Sequence, residues 1–243
     1  MAHFYLIDDL VTATVGSTVV VTGTEARHAV TVSRVRVGES LRAGNGRGLV
    51  VEGVVREAAA DRLVLEVENA VVHPAPSRRL VLVQALAKGD RDELAVQAAT
   101  ELGVDEVIPW SAARSVSRWE GAKVDKGRAR WSAIVREATK QSIRAWQAPV
   151  GPLVTAAALA RAAKGSLVLV LEPSAKTSIA DVDLGDHQDV VIVVGPEGGV
   201  SDTELATLTD AGAIAVRMGE SVLRTSTAGP AALAVLSMRL GRW

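Results

Sequence analysis

Three short stretches of this chain combine residue types that can hold or transform a ligand. The first is Gly195-Pro196-Glu197-Gly198-Gly199-Val200-Ser201, which leaves the very apolar run Val190-Val191-Ile192-Val193-Val194. A structural turn needs one glycine. Three around a single Pro-Glu point to something that approaches the main chain closely. Ser201, with Glu204 three residues on, forms a capping box for a following helix. The second stretch runs from Arg217 through Met218, Gly219, Glu220, Ser221, Val222, Leu223 and Arg224 to Thr225-Ser226-Thr227-Ala228. It sets two cations, Arg217 and Arg224, beside one loop and offers three hydroxyl caps for a helix. The third, Leu171-Glu172-Pro173, ends another apolar run. Other chemistries are excluded. No Lys-Ser/Thr follows the glycines, so they are not a Walker phosphate loop, and Gly44-Asn45-Gly46-Arg47-Gly48 lacks dinucleotide spacing. Neither a Gly-x-Ser-x-Gly elbow nor a His-Glu-x-x-His pair occurs. The four histidines, His3, His28, His73 and His187, are scattered, so no metal site is expected. With no cysteine, thiol catalysis, thiolate zinc sites and iron–sulfur clusters drop out.

Charge is distributed unevenly. The 243 residues carry a net charge of −1, which gives no whole-chain sign of a polyanion partner. Between Ala112 and Trp146, however, stand Arg114, Arg118, Lys123, Lys126, Arg128, Arg130, Arg136, Lys140 and Arg144, opposed only by Glu120, Asp125 and Glu137. A cationic segment on a neutral chain is a candidate surface for a polyanion. Trp119, Trp131 and Trp146 lie within or beside it. The first ten residues lack the basic and apolar regions of a secretory signal, and no apolar run approaches ~18 residues, so a soluble cytoplasmic chain is expected.

Two regimes must position these residues. Up to residue 72, short runs rich in Val, Leu and Thr predict strands at His3–Ile7, Thr18–Thr22, Glu39–Ala43, Leu49–Val55 and Arg62–Val67, with one short helix near Thr24–Val32. Asn45-Gly46 reads as a hairpin turn, and the whole as a small β-barrel. Prolines 74 and 76 mark a linker over residues 73–79. From 80 to 243, continuous apolar strands are expected at Leu80–Gln84, Val104–Pro109, Leu167–Leu171, Val190–Val194 and Ala213–Met218. Helices alternate with them: one capped by Asp90 and running to Leu102, then Lys126–Trp146, Thr155–Ala163, Asp202–Ala211 and Thr227–Leu240. That alternation means an α/β domain, a parallel sheet covered on both faces. Ligands bind at the carboxyl ends of such strands, where all three stretches fall.

Several blocks occur in a telling order: Arg27-His28-Ala29-Val30 and Arg34-Val35-Arg36-Val37-Gly38-Glu39; Gln84-Ala85-Leu86-Ala87-Lys88-Gly89-Asp90-Arg91; Val96-Gln97-Ala98-Ala99-Thr100-Glu101-Leu102-Gly103-Val104; Arg136-Glu137-Ala138-Thr139-Lys140-Gln141-Ser142 with Pro149; and Gly195-Pro196-Glu197-Gly198-Gly199 with Met218–Ala228. In these the chain resembles the RsmE family of 16S ribosomal RNA uridine-N3 methyltransferases, of the SPOUT (trefoil-knot) superfamily. Ser226 stands where the family usually has an acid, and Val200 where Phe or Leu is common. The resemblance implies a PUA-like β-barrel followed by a knotted α/β methyltransferase domain, S-adenosylmethionine as cofactor, a homodimer, and the 16S rRNA of the small ribosomal subunit as partner, with no membrane. It implies cofactor contacts from Leu171, Glu172, Gly195, Pro196, Glu197, Gly198, Met218, Gly219, Leu223 and Thr225. Arg224 is the expected electrostatic catalyst, with Arg217 a second choice, and Glu197 or Glu220 the expected base. Arg34, Arg36, Arg91, Arg114, Arg118, Arg136, Lys140 and Arg144 are the expected RNA contacts. Two other readings stay open: a knotted methyltransferase of tRNA or rRNA ribose 2′-hydroxyls, and a non-catalytic ribosome-assembly factor.

Overall fold

The computed structural model describes residues 4–162, 164–186 and 189–243. His3, Ala163 and His187, which figured in the expected elements and histidines, lie outside them. Two units separate: one of Met1–Ala75 with Thr139–Gln147, the other of Pro76–Ala138 with Ala148–Trp243.

In the first unit, β1 (Phe4–Leu6), β2 (Thr18–Thr22), β3 (Ser40–Gly44), β4 (Leu49–Ala59) and β5 (Arg62–Val72) form a five-stranded sheet in the order β1-β3-β4-β5-β2. All neighbours are antiparallel except β1 and β3. Period-2 alternation turns Leu49, Val51 and Val55 of β4 and Leu63, Leu65 and Val67 of β5 into one core. The expected short helix is α1 (Gly23–Arg27), continued by a wider π-type turn over His28–Val32. The Asn45-Gly46 turn joins β3 to β4: Asn45 Oδ1 accepts from the N–H groups of Arg47 at 2.8 Å and Leu49 at 3.1 Å.

The second unit holds β6 (Arg79–Ala85), α2 (Arg91–Glu101), β7 (Glu106–Trp110), most of α3 (Ala122–Gln141), α4 (Ala156–Ala162), β8 (Leu167–Leu171), β9 (Thr177–Ser178), β10 (Asp189–Val194), α5 (Asp202–Asp210), β11 (Ile214–Arg217) and α6 (Thr225–Arg239). Its six strands run parallel in the order β7-β6-β10-β8-β11-β9. Alternate residues of each strand go to opposite faces, and both faces are covered. Leu80, Leu82, Leu169 and Ile192 pack with Ala232, Leu233 and Leu236 of α6 on one side. Val81, Val83, Val168 and Val193 pack with Leu159 and Leu208 on the other. This is why these strands read as unbroken apolar runs.

Three local expectations are corrected. The helix expected to reach Trp146 stops at Gln141. Ile143 adopts φ +55°, and the N–H groups of Ile143 and Arg144 return to the carbonyls of Lys140 and Thr139. That is a Schellman closure made without glycine. Asp90 occupies the N-cap position of α2 but its side chain makes no capping bond. The last helix opens at Thr225, two residues early, with Arg224 at its N-cap and no side-chain cap. The Ser201–Glu204 capping box on α5, by contrast, is present in both directions.

Candidate active site

β8, β10 and β11 are adjacent in the sheet, so the loops at their carboxyl ends converge. They enclose a cavity of about 270 Å³. Leu171, Glu172, Gly195, Pro196, Glu197, Met218, Gly219, Leu223, Arg224 and Thr225 all line it, joined by Arg91 from the first turn of α2. Gly198, Arg217, Glu220 and Ser226 are not among its lining residues.

The glycine-rich loop is shaped mainly by its own packing. A Cβ on Gly195 would lie 3.0 Å from Val200 Cγ2 and 3.1 Å from the Val200 nitrogen. A Cβ on Gly198 would meet Arg114 Cβ at 3.1 Å. What approaches the backbone at these two positions is therefore the protein itself. Arg114 Nη1 donates to the carbonyls of Gly198 at 3.4 Å and Val200 at 3.1 Å, which gives this expected RNA contact a loop-holding task. Gly199 supplies the left-handed backbone, φ +74°, that closes the turn, and its N–H bonds the Pro196 carbonyl at 2.9 Å.

Glu197 is committed. Its Oε1 accepts from the Lys88 N–H at 3.0 Å and from Arg91 Nη1 at 3.0 Å. Burial pushes this carboxyl up, but its own backbone N–H, the Lys88 N–H and the Arg91 guanidinium outweigh burial and hold it below the usual carboxylate range. A carboxylate held low and doubly engaged is a poor proton acceptor. Glu172 is likewise turned onto its own loop, accepting from the Ser174 N–H at 3.1 Å and hydroxyl at 2.8 Å.

Thr225, expected as a cofactor contact or cap, lines the cavity but does not cap the helix. Its hydroxyl donates to the Gly195 carbonyl at 2.8 Å and accepts from Gln84 Nε2 at 2.9 Å. Gln84 is fully buried near the end of β6. Residue types alone gave it no role, because its partner stands 141 residues away. Arg224, the residue before Thr225, is exposed at the cavity and has no carboxylate partner among the described residues.

The remaining expected RNA contacts divide between the units. Arg34 and Arg36 are exposed in the first and Arg118 in the second, while Arg136 and Arg144 are half-buried. Lys140 is corrected: its ammonium lies 3.2 Å from Glu25, with side chains only 10% and 13% exposed, so it is spent on an internal ion pair. Trp131 is core and not free to stack on a base, while Trp146 is half-buried and donates Nε1 to the carbonyls of His73 and Pro74.

Asp92 carries a measurable consequence. It is 5% exposed, and burial pushes its carboxyl up from 3.8 to about 6, against bonds from the Ala87 and Glu93 N–H groups. The folded chain then keeps a proton that the unfolded chain releases, so this group's contribution to stability falls as pH rises from about 4 to 6. The total is about 3 kcal/mol, of which about 1 kcal/mol falls between pH 5 and 7. Urea denaturation should show Asp92→Asn losing about 1 kcal/mol less than the parent over that interval. Parallel pH profiles for the two would refute the assignment.

Among the described residues no helix is long and apolar enough to cross a membrane. A mostly antiparallel curled sheet, followed along the chain by a parallel α/β unit with a cavity at its strand ends, is the architecture of a PUA-containing RNA methyltransferase. A family profile described as RNA methyltransferase domain matches residues 73–237, and one described as RNA methyltransferase PUA domain matches residues 21–68. The chain is 42% identical over 248 aligned positions to ribosomal RNA small subunit methyltransferase E of Mycobacterium bovis, covering 100% of this chain and 94% of that one. Its fold superposes on ribosomal RNA small subunit methyltransferase E of Neisseria gonorrhoeae bound to S-adenosyl methionine, with a TM-score of 0.87, 27% identity and 98% of each chain covered. A putative methyltransferase of Legionella pneumophila with the cofactor bound gives the same TM-score at 26% identity. The chain belongs to the ribosomal RNA small subunit methyltransferase E family.

Proposed function

We propose that this protein methylates N3 of a uridine in the 16S rRNA of the small ribosomal subunit, as a cytoplasmic homodimer with a knotted chain end. The observation that carries the reaction is the rim cavity with one unpaired guanidinium, Arg224, at its mouth. The lining fits the cofactor. Leu171, Pro173, Val194, Val216, Met218 and Leu223 give apolar walls for a purine, and Arg91 is neutralised by Glu197. Bound there, S-adenosylmethionine supplies an electrophilic methyl on a sulfonium. Leu171, Met218 and Leu223 would hold the adenosyl group against the Gly195 loop, and fixing it there would remove part of the entropic barrier.

The uridine N3–H must lose its proton before alkylation. The charge that develops spreads to the flanking carbonyl oxygens. Arg224, at the N-cap of α6 and exposed at the cavity, is the cation that stabilises it in this scheme. Glu197 in this scheme is a brace for the 195–201 loop, not the base, because its carboxylate is already engaged. The proton passes to solvent at the exposed mouth.

A radiolabelled methyl-transfer assay on small subunits lacking the modification, followed by nucleoside analysis, tests the reading. N3-methyluridine is the expected product. Reverse transcriptase should stop at the modified base, because an N3 methyl blocks Watson–Crick pairing. Label in a ribose 2′-hydroxyl, with read-through, would replace this function by the 2′-O alternative; no transfer and no cofactor binding would favour the assembly factor. Sedimentation equilibrium reads the dimer directly.

A further inference from the structure

The second unit has another cavity, of about 380 Å³, between the start of α2 and the first turns of α3. Its rim carries Arg118, Lys123, Lys126 and Arg130, with Trp119 on its wall. Positions 123, 126 and 130 fall on one face of α3 by helical spacing. Arg130 is answered by Glu93, with bonds of 2.5 and 2.7 Å. The other carboxylate there, Asp92, spends its oxygens on the N–H groups of Ala87 and Glu93. Arg118, Lys123 and Lys126 are exposed and have no carboxylate partner among the described residues.

The wall is built around an indole. A Cβ on Gly127 would lie 2.4 Å from Trp119 Cε2, so the ring lies directly against α3 at a place only glycine allows. Trp131 braces it edge-on, with ring centroids 5.3 Å apart at 73°. Small-anion sites converge backbone N–H groups on one point. Cations spread along a rim beside an aromatic wall are instead the pattern that follows a single-stranded nucleic-acid backbone. The two cavities also share one segment: Ala87, Gly89 and Asp92 line this one, while the Lys88 N–H and Arg91 hold Glu197 at the other.

We infer that this second cavity is an RNA subsite, in which Arg118, Lys123 and Lys126 hold phosphates of the strand flanking the target base while that base enters the first cavity. The inference rests on the RNA-methylating function proposed above.

The test is the triple variant Arg118→Ala, Lys123→Ala, Lys126→Ala in the full chain, with a single-stranded fragment of small-subunit rRNA as probe in filter binding at several salt concentrations. Removing three phosphate contacts should lower the slope of log affinity against log salt by about 2. Cofactor affinity by calorimetry should match the parent, which also shows that the variant is folded. Lys123→Arg with Lys126→Arg should keep both affinity and slope. Parent-like affinity and slope in the triple variant overturn the subsite. Absence of methyl transfer by the parent would instead defeat the proposed function, and the binding measurement would still decide the subsite, because it needs no turnover.

Discussion

Replacing Arg224 by alanine is expected to lower kcat by about 10²–10³ while leaving affinity for S-adenosylmethionine within a few-fold of the parent. The size follows from what the guanidinium meets in the ground and transition states. Neutral uracil offers it weak carbonyl dipoles, whereas the ring losing its N3 proton offers a charge. An interaction that grows along the reaction appears in kcat, not in binding. Arg224 suits this because it is not neutralised: Arg91 faces Glu197 and Arg114 faces Asp202, while Arg224 has no such partner among the described residues. Its main chain is fixed, since its carbonyl accepts the N–H groups of Thr227 and Ala228 at 2.8 and 2.9 Å. Arg224→Lys should recover only part of the loss, because an ammonium is a compact charge on a flexible stem without the planar fork. Single-turnover rates with saturating cofactor measure the chemical step, and calorimetry measures binding. Equal losses in both would make Arg224 a cofactor ligand and remove it from catalysis.

How far the residues disclosed this site depends on the range of the interaction involved. The central strands of the second unit are legible because a sheet buried on both faces leaves few polar positions, and β8 falls at Leu167–Leu171 as expected. The Ser201–Glu204 box is legible because both partners sit within one turn. The glycine run was visible, but not its reason. Nothing local shows that Gly195 makes room for Val200 and Gly198 for Arg114. Nor does composition separate a cation on a surface from one in an ion pair: Glu25 lies 115 residues from Lys140. The early end of α3 was hidden for a different reason. The left-handed position is Ile143, a β-branched residue with φ +55° where glycine would have given the signal. Arg91 was read as an RNA contact, and its place on the rim cavity could not be read locally, because only the parallel order β6-β10-β8 brings the start of α2 beside Glu197.

The same long-range logic makes Thr225 the most sensitive position in the loop framework. Thr225→Val preserves shape but deletes the one group that answers two others. The Gly195 carbonyl loses its donor, and Gln84 Nε2 loses an acceptor, keeping only a 3.2 Å bond to the Ala85 carbonyl. Gln84 already carries a buried Oε1 with no hydrogen-bond partner, so this corner has no spare capacity. Gln84 Nε2 keeps one bond and the Gly195 carbonyl is only part-buried, so a loss of about 1–3 kcal/mol in unfolding free energy is expected. Thr225→Ser keeps the hydroxyl and should retain most of the stability. Affinity for S-adenosylmethionine should fall with Thr225→Val beyond what stability explains, because the Gly195 carbonyl is free to turn and the wall it belongs to moves with it. Gln84→Leu separates the two effects. It removes the donor to Thr225 but leaves the Thr225–Gly195 bond, so it should spare cofactor affinity while Thr225→Val does not. If both variants bind cofactor like the parent and differ only in unfolding midpoint, the chain from Gln84 through Thr225 to Gly195 supports the fold and has no part in shaping the cavity.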